Sequence, residues 1–318
     1  MKKLIYVLIL LVLLVSSLFV GVKDISLMNF FSWTGQEQLV LLATRVPRTI
    51  SLVIAGATIS ISGLIMQHLM QNKFVSPSTV GTMDSAKLGI LVAMLFFPNA
   101  PLLLRSSVAF AFAFLGTVLF LFLSRLLPTK NSIMVPLVGV MFGNIVGSIA
   151  TFFAYQYQVV QNMSSWLQGN FSTVTRGSYE LVYLTIPLFF LVYLFAYQFT
   201  IVGMGEDLAT NLGVHYQKTR LLGIGIVALA SALVLVMVGS ISFLGVVVPN
   251  LVSLRYGDQM KRTLKFTAFF GAAFLVVCDL IARVVIAPYE VPVSLVVGCI
   301  GSVLFLGLLM KEVRGQAA

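Results

Sequence analysis

The sequence predicts an all-α, polytopic membrane protein, with about ten membrane-spanning helices in a single transmembrane domain, residues 1–318. Apolar residues make up 59% of the chain and charged residues 9%, whereas about a quarter of the residues in a soluble domain are charged. The apolar residues are grouped in stretches close to the length of about 20 residues that a spanning helix needs. No stretch shows the alternation over about ten residues that is typical of an outer-membrane barrel strand.

Ten candidate spans follow one another along the chain. The longest polar segment between them, residues 156–180, is expected to lie outside the membrane and to form a short surface helix. The spans lie near residues 4–22, 46–67, 81–97, 102–124, 133–155, 181–200, 220–239, 242–255, 266–286 and 292–310.

The first span has some features of a signal peptide, because Lys2 and Lys3 precede an apolar run from Leu4 to Val20. That run is longer than the usual apolar region of a signal peptide, and no small-x-small cleavage site follows it. We therefore expect a retained transmembrane helix whose N-terminus lies in the cytoplasm.

The distribution of basic residues supports this orientation. Ten spans that begin in the cytoplasm place thirteen of the 20 basic residues on the inner side, six on the outer side and one, Lys87, within the third span. This bias agrees with the positive-inside rule, and it places both termini in the cytoplasm. The net charge of +10 thus reflects membrane topology and gives no reason to expect nucleic acid. The outer residues are Lys23, Arg45, Arg48, Arg105, Arg176 and Arg283.

Two arginines, Arg45 and Arg48, flank Pro47 at the start of the second span. Proline is common at a helix N-terminus because its missing N–H is not needed there. Cations are less natural at that position, since they oppose the positive end of the helix dipole. Pairing with carboxylates of a docking protein would explain both arginines, and so would snorkelling to lipid headgroups. The pattern favours neither interpretation.

Ionisable residues are also found at the start of the third span. Asp84 and Lys87, three residues apart, can pair on one helical face. An ionisable pair within a membrane is a candidate functional site. We expect mutual neutralisation close to the membrane interface.

The fifth span carries glycines at intervals of four residues, at Gly139, Gly143 and Gly147. A face of small residues permits close helix packing, but it can also line a passage. Asn144 lies near the predicted middle of the bilayer, where its amide needs a partner. The packing and pore-lining interpretations are equally favoured.

Residues 203–214 form a polar interruption near the middle of the apolar pattern. Glycines break the preceding span, Glu206 and Asp207 are acidic residues suited to a helix start, and Gly213 can end that helix. We expect a short helix, a sharp turn and a second short helix along the cytoplasmic membrane surface. Such a segment can bind a soluble partner, and a loop that only connects two spans is the alternative. The eighth span is short and contains Pro249, which predicts a discontinuous helix.

The sequence contains no recognisable energy-converting or catalytic motif. It lacks a Gly-x-x-x-x-Gly-Lys-Ser/Thr phosphate loop, so ATP would have to be hydrolysed by a separate subunit. Two histidines and two cysteines are scattered and form no metal or catalytic cluster, and both Cys278 and Cys299 are expected to be packed thiols. An ion-coupled secondary transporter needs ionisable groups within the membrane, and Asp279 is the one mid-span candidate. We therefore expect no catalytic residue, metal or cofactor.

Six motifs occur in order along nearly the whole chain: Arg45-Val46-Pro47-Arg48, the Asn72–Gly81 loop, Trp166–Phe171, Gly205–Val214, Gly239–Pro249 and Asp279–Arg283. Together they resemble the permease subunits of binding-protein-dependent ABC importers for iron-siderophores, haem and vitamin B12, the FecCD-type family with ten membrane helices per subunit. The Phe74–Ser78 stretch and Asn250 depart from residues that many members have. These departures resemble the branch that serves catecholate or mixed siderophores.

The resemblance implies a type II ABC importer permease fold with a different partner on each side of the membrane. On the outer side, Arg45, Arg48 and Arg283 match arginines that pair with glutamates of an extracytoplasmic substrate-binding (lipo)protein. On the inner side, a coupling segment would fit a cleft of a cytoplasmic ABC ATPase dimer. Its residues are Gly205, Glu206, Asp207, Leu208, Ala209, Asn211, Leu212, Gly213 and Val214.

The resemblance also implies the function: a permease subunit in the bacterial cytoplasmic membrane that imports ferric siderophores with energy from a separate ATPase. Haem or cobalamin is the alternative cargo. One subunit would supply half of the pathway, so a second permease, identical or paralogous, would be required. The candidate pathway residues are Met66, Gln67, Met141 and Asn144.

Overall fold

Helices form almost the whole of the structure, a computed structural model that describes residues 2–21, 35–99, 101–125, 134–177 and 179–316. Lys23, counted above among the outer cations, lies outside these residues. The described residues contain no strand, and one isolated bridge joins Ile286 to Tyr289. A 3-10 turn, Glu180–Leu184, precedes α8. The helices are α1 (Lys2–Phe19), α2 (Gly35–Val40), α3 (Val46–Leu69), α4 (Thr82–Phe96), α5 (Leu102–Arg125), α6 (Met134–Gln156), α7 (Val160–Leu167), α8 (Thr185–Val202), α9 (Glu206–Asn211), α10 (Tyr216–Val238), α11 (Leu244–Tyr256), α12 (Met260–Val284) and α13 (Val293–Gln316).

Each predicted span coincides with one helix, namely α1, α3, α4, α5, α6, α8, α10, α11, α12 or α13. Seven helices in the described part of the chain are long and apolar enough to cross a membrane. The apolar parts of α1 and α11 are shorter, and α4 has 15 residues. The predicted surface helix corresponds to α7. The all-α membrane fold is therefore confirmed.

The second span begins earlier than the sequence suggested. α2 continues through a π-helical turn, Leu41–Arg45, directly into α3, so the continuous helix begins at Gly35. Pro47 has no N–H to donate to the carbonyl of Ala43 four residues earlier. The N–H of Arg176 donates to that carbonyl instead, at 3.0 Å. A donor from a distant loop therefore satisfies the carbonyl that the proline leaves free within the helix.

The prediction of a discontinuous eighth span is confirmed, because α10 ends at Val238, α11 begins at Leu244 and Pro249 lies inside α11. Pro249 cannot donate to the carbonyl of Gly245. Gly63 of α3 lies against that carbonyl, and a Cβ at residue 63 would overlap with it. The glycine thus allows two backbones to meet where the proline has removed a hydrogen bond.

α3 is the central helix of the fold. In the most apolar stretch of the continuous helix Gly35–Leu69, 83% of the residues are buried. The corresponding stretches of the other six long helices are 22–72% buried. Gly56 allows α3 to approach α12 in the same way, since a Cβ there would lie 2.5 Å from the carbonyl oxygen of Gly271. Small residues thus let α3 pack closely against two helices at different depths, as the sequence of the second span suggested.

The two cysteines differ in their surroundings. Cys278 of α12 is buried, as predicted. Cys299 is exposed, and the prediction of a packed thiol there was wrong. It lies on α13, the long helix with the smallest buried share.

We predict that Gly63→Ala destabilises the protein by about 1–3 kcal/mol, because the added Cβ forces α3 away from α11. The measurement is thermal unfolding of the purified protein in detergent. The matched control is Gly307→Ala on α13, where a Cβ would meet no atom within 4 Å. This control should unfold at the wild-type temperature or slightly above it, since alanine favours a helix. Equal melting temperatures for the two variants would contradict the packing argument.

Candidate functional sites at the two ends of helix α3

The carboxylate of Asp279 is fully buried in α12 and binds two guanidinium groups. Arg48 donates to Oδ1 through Nε at 3.0 Å and through Nη2 at 2.7 Å. Arg283 donates to Oδ2. Arg48 Nη1 also donates to Glu290 Oε2 at 2.6 Å. Arg48 therefore joins α3 to α12 and to the turn that leads into α13.

Two of these arginines also bind the end of α1. Arg45 Nη1 donates to the carbonyl oxygens of Leu18 and Phe19, each at 2.8 Å. Arg283 Nη1 donates to two neighbouring carbonyls at 2.7 and 2.8 Å. The last carbonyls of a helix have no partner within the helix, and cations are favourable at this end of the helix dipole. The arginines thus complete the hydrogen bonding of α1.

All three predicted docking arginines line one surface cavity of about 300 Å³, together with Glu290. Arg45, Arg48 and Arg283 are only 6%, 8% and 5% exposed. The fold therefore brings together arginines from two distant parts of the sequence. With Asp279 and Glu290, the cluster contains three cations and two carboxylates.

The burial of these arginines differs from the sequence-based expectation of guanidinium groups turned outward. An unpaired cation next to apolar helices would be costly, so partners within the chain surround each one. The sequence analysis missed Asp279 and Glu290 as partners of Arg48. The spacing of Asp279 and Arg283 within α12 was visible, but Arg48 and Asp279 are 231 residues apart, and no local pattern links them.

The 203–214 segment contains one short helix, α9, between two glycines with positive φ. Gly205 has φ +114° and Gly213 has φ +77°, both in the region that favours glycine. The predicted break and turn are therefore present. The predicted second short helix is absent: α10 begins at Tyr216 and continues without interruption to Val238. No proline or helix-ending glycine turn separates its first residues from the span.

The surface of this segment combines charges with exposed leucines. Leu208 and Leu212 are 52% and 58% exposed, whereas Ala209 is fully buried against the bundle. Gln217 Nε2 donates to Glu206 Oε1 at 3.1 Å. Of the nine predicted coupling residues, Gly205 and Val214 are half-buried, and the exposed ones are Glu206, Asp207, Leu208, Asn211, Leu212 and Gly213.

The segment lies at the opposite end of α3 from the arginine cluster. A Cβ at Gly203 would lie 3.0 Å from Cδ2 of His68, and a Cβ at Gly205 would lie 3.6 Å from Nε2 of Gln71. Arg48, in contrast, is in the first turn of α3. The 24 residues of α3 span about 36 Å, slightly more than the bilayer core of about 30 Å.

The four predicted pathway residues do not lie together. Met66 is fully buried, and Gln67 is 6% exposed with its Nε2 3.5 Å from the carbonyl oxygen of Val246. Met141 is 59% exposed on α6. Asn144, one turn further along α6, lines a cavity of about 750 Å³ between α4, α6 and α7. That cavity therefore contains one of the four candidates.

The small-residue face of α6 both packs and lines this cavity. A Cβ at Gly139 would overlap with the carbonyl of Thr79, so the backbones are in close contact there. Gly147 and Ser148, further along the helix, line the cavity. The two interpretations of the glycine pattern thus apply to successive parts of one helix.

The long apolar helices describe a multi-pass membrane protein, with one cluster of charged residues near each end of α3. Residues 8–311 match the model of the FecCD transport family. The chain belongs to this family.

Relatives with established names match along almost the whole chain. The chain is 49% identical over 311 residues to the petrobactin import system permease protein YclN of Bacillus subtilis, covering 98% of both chains. It is 41% identical to the ferric-anguibactin transport system permease protein FatD of Vibrio anguillarum, covering 94% of this chain and 95% of FatD. A solved inward-facing structure of a metal-chelate type ABC transporter has the same fold, with a TM-score of 0.83 at 23% identity over 98% of this chain and all of that chain.

We predict that Arg48→Met destabilises the protein by about 3–5 kcal/mol, because it removes a cation from two carboxylates, one of them fully buried. Thermal unfolding of the purified protein measures the change. Arg176→Met is the control, since the Arg176 side chain is exposed and the substitution keeps the backbone N–H that binds Ala43. We expect a change below about 0.5 kcal/mol. Adding Glu290→Gln to Arg48→Met should recover part of the loss. An Arg48→Met protein as stable as the control would show that the ion pairs contribute little.

Proposed function

We propose that this chain is the permease subunit of an ATP-driven importer in the bacterial cytoplasmic membrane, and that its cargo is a ferric siderophore. One observation carries the proposal: two chemically different sites lie at opposite ends of α3. An importer of this kind receives cargo from a carrier on one side and is driven by a motor on the other. Both termini and the 203–214 segment would then lie in the cytoplasm.

The names of the relatives support the choice of cargo. The two at 49% and 41% identity are named for petrobactin and for ferric anguibactin. BtuC of Vibrio cholerae, named for vitamin B12 import, is 30% identical. A ferric siderophore is therefore favoured over cobalamin or haem.

The arginine cavity is the proposed docking site for the substrate-binding protein. Arg45, Arg48 and Arg283 outnumber the two carboxylates of the cluster, so a carboxylate of a partner finds an excess of positive charge there. Guanidinium groups can bind more than one acceptor through their five donors. A docking glutamate can thus share an arginine that is already bound within the chain.

The 203–214 segment is the proposed contact with the ATPase. Its exposed leucines are apolar side chains on an otherwise polar surface, and such side chains suit a protein partner better than water. The glycines at both ends of α9 fix its direction. The buried Ala209 packs against the bundle. A displacement of α9 would therefore be transmitted to α8 and α10.

A second permease subunit, identical or paralogous, would complete the translocation pathway. The exposed face of α6 and the cavity beside it are the proposed half-pathway of this chain. Of the four candidates from the sequence, Met141 and Asn144 have surface on α6 and belong to this proposal. Met66 and Gln67 lie in the core beside α11, and we do not assign them a contact with cargo.

The ion-coupled secondary transporter is less favoured, because the acid that the sequence offered for ion coupling is already paired. Asp279 is bound by Arg48 and Arg283, so two guanidinium groups already balance the charge that a coupling ion would need. Energy from a separate ATPase also agrees with the absence of a phosphate loop in this sequence.

We predict that the chain, reconstituted in proteoliposomes with its second permease, its ATPase and its binding protein, accumulates ⁵⁵Fe-labelled petrobactin only when ATP is supplied. Collapsing proton and sodium gradients with ionophores should leave the initial rate unchanged. An ATPase whose phosphate-loop lysine is replaced is the matched control and should abolish uptake. Uptake driven by an ion gradient without ATP would contradict the proposal and favour a secondary transporter.

We predict that Leu208→Glu combined with Leu212→Glu weakens ATPase binding at least about tenfold, because a charge replaces an apolar contact at each position. The measurement is binding of the purified ATPase to the permease complex in nanodiscs. Gln259→Glu is the control: it adds a negative charge to an exposed residue of another cytoplasmic loop. Unchanged ATPase affinity of the double variant would remove the coupling role from this segment.

A further inference from the structure

An ion pair lies within the large cavity between α4, α6 and α7. Lys87 Nζ donates to Asp84 Oδ1 at 2.9 Å, and the two side chains are 25% and 23% exposed. Both residues line the cavity, which has a volume of about 750 Å³. This volume is within the usual range of about 300–1,000 Å³ for a small-molecule site. The predicted pairing of Asp84 and Lys87 is therefore present, and the pair faces open space.

The pair lies deeper than the sequence suggested. A Cβ at Gly143 would lie 2.6 Å from Asp84 Oδ2, and Gly143 is the tenth residue of the 23-residue α6. Nine residues of helix rise about 14 Å, close to half of a bilayer core of about 30 Å. Our expectation of a position near the interface was wrong, because α4 begins within the bundle. The loop before it is largely buried, and Val75, Ser76 and Val80 have no exposed surface.

Stability alone does not account for charges at this depth. An ion pair three residues apart on one helix contributes little to stability, whereas charged side chains at mid-membrane are costly. An apolar pair at these positions would fold at lower cost. Charged residues in such a position mark a pathway or a ligand site.

The surroundings fix the carboxylate and leave the ammonium group able to bind a ligand. Asp84 is in the first turn of α4, where an anion is favourable, and glycines of α6 make room for its oxygens. The ammonium group of Lys87 has three donors, and the bond to Asp84 uses one of them. The neutral hydrogen-bonding residues that line the same cavity are Asn144, Ser148, Thr151, Ser164 and Gln168.

We propose that Lys87, positioned by Asp84, binds an anionic oxygen group of the transported chelate, a carboxylate or a catecholate, while the chelate passes through this cavity. The inference rests on the proposed function and assigns the cargo contact within it. The described residues contain no group of three His, Cys, Asp or Glu side chains able to hold a metal ion. The one carboxylate that lines the cavity, Asp84, is already paired with Lys87. The remaining donors of the ammonium group, together with the neutral polar side chains, suit the oxygen shell of a chelate better than a bare cation.

The test uses the reconstituted importer with ferric petrobactin as the probe. The double variant Asp84→Asn with Lys87→Met removes both charges and leaves no unpaired ion in the membrane. We measure the number of ⁵⁵Fe atoms imported per ATP hydrolysed and, separately, the ATPase rate stimulated by the loaded binding protein. We expect the ATPase rate to be retained and the import per ATP to fall at least about tenfold, the loss expected for one charge-assisted hydrogen bond. The separate variant Lys87→Arg, which keeps the cation, should retain most of the wild-type import per ATP.

The matched control is Lys73→Met with Asp258→Asn, which neutralises an exposed ion pair outside the cavity, with side chains 50% and 63% exposed. This control should import as many iron atoms per ATP as the wild type. Wild-type import per ATP by the Asp84→Asn/Lys87→Met variant would overturn the inference and leave the proposed function intact. A parallel loss of import, ATPase stimulation and thermal stability would also overturn it, because it would show a structural role. Absence of ATP-dependent import by the wild-type complex would overturn the proposed function, and this inference with it.

Discussion

The buried carboxylate of Asp279 is the interaction on which one end of the molecule depends. It holds Arg48 of α3 and Arg283 of α12, and Arg283 in turn holds the last carbonyls of α1. Without this anion, two guanidinium groups would lie in an apolar environment with one charge of Glu290 to balance them. The same bonds that satisfy the buried carboxylate therefore hold three helices together and place the arginines around one cavity.

Close packing gives α3 its role as the axis of the fold. At Gly56 and Gly63 it approaches the backbones of α12 and α11 so closely that a methyl group would not fit. In a membrane, helices gain little from burying apolar surface away from lipid. Such contacts therefore stabilise the bundle through dispersion between closely packed, complementary surfaces. A helix held this firmly along its length keeps the arginine cluster and the 203–214 segment at a fixed separation. The proposed docking at one end and the proposed coupling at the other would then act on one rigid element.

The sequence predicted the type and order of the helices, because apolar stretches of spanning length are a strong and local pattern. It also singled out the arginines and the 203–214 segment, whose docking and coupling roles stay predictions. It failed wherever the outcome depended on distant partners. The helix continues through Pro47 because the N–H of Arg176 takes the freed carbonyl. Arg48 is buried because Asp279 lies beside it after folding, and Asp84 is deep because the loop before α4 folds into the bundle.

The ion pairs of Arg48 and of Lys87 differ in which helix movements they oppose. The bonds from Arg48 to Asp279 and Glu290 join separate parts of the chain, so pulling α3 from α12 would leave the buried Arg48 without either carboxylate. Asp84 and Lys87 belong to one helix and stay paired wherever α4 moves. The contact between α4 and α6 at Gly143 consists of a carboxylate edge against a glycine, with no ion pair across it. Opening between α4 and α6 would therefore separate no charges, whereas opening between α3 and α12 would separate several, and the cavity lies at the first of these two contacts.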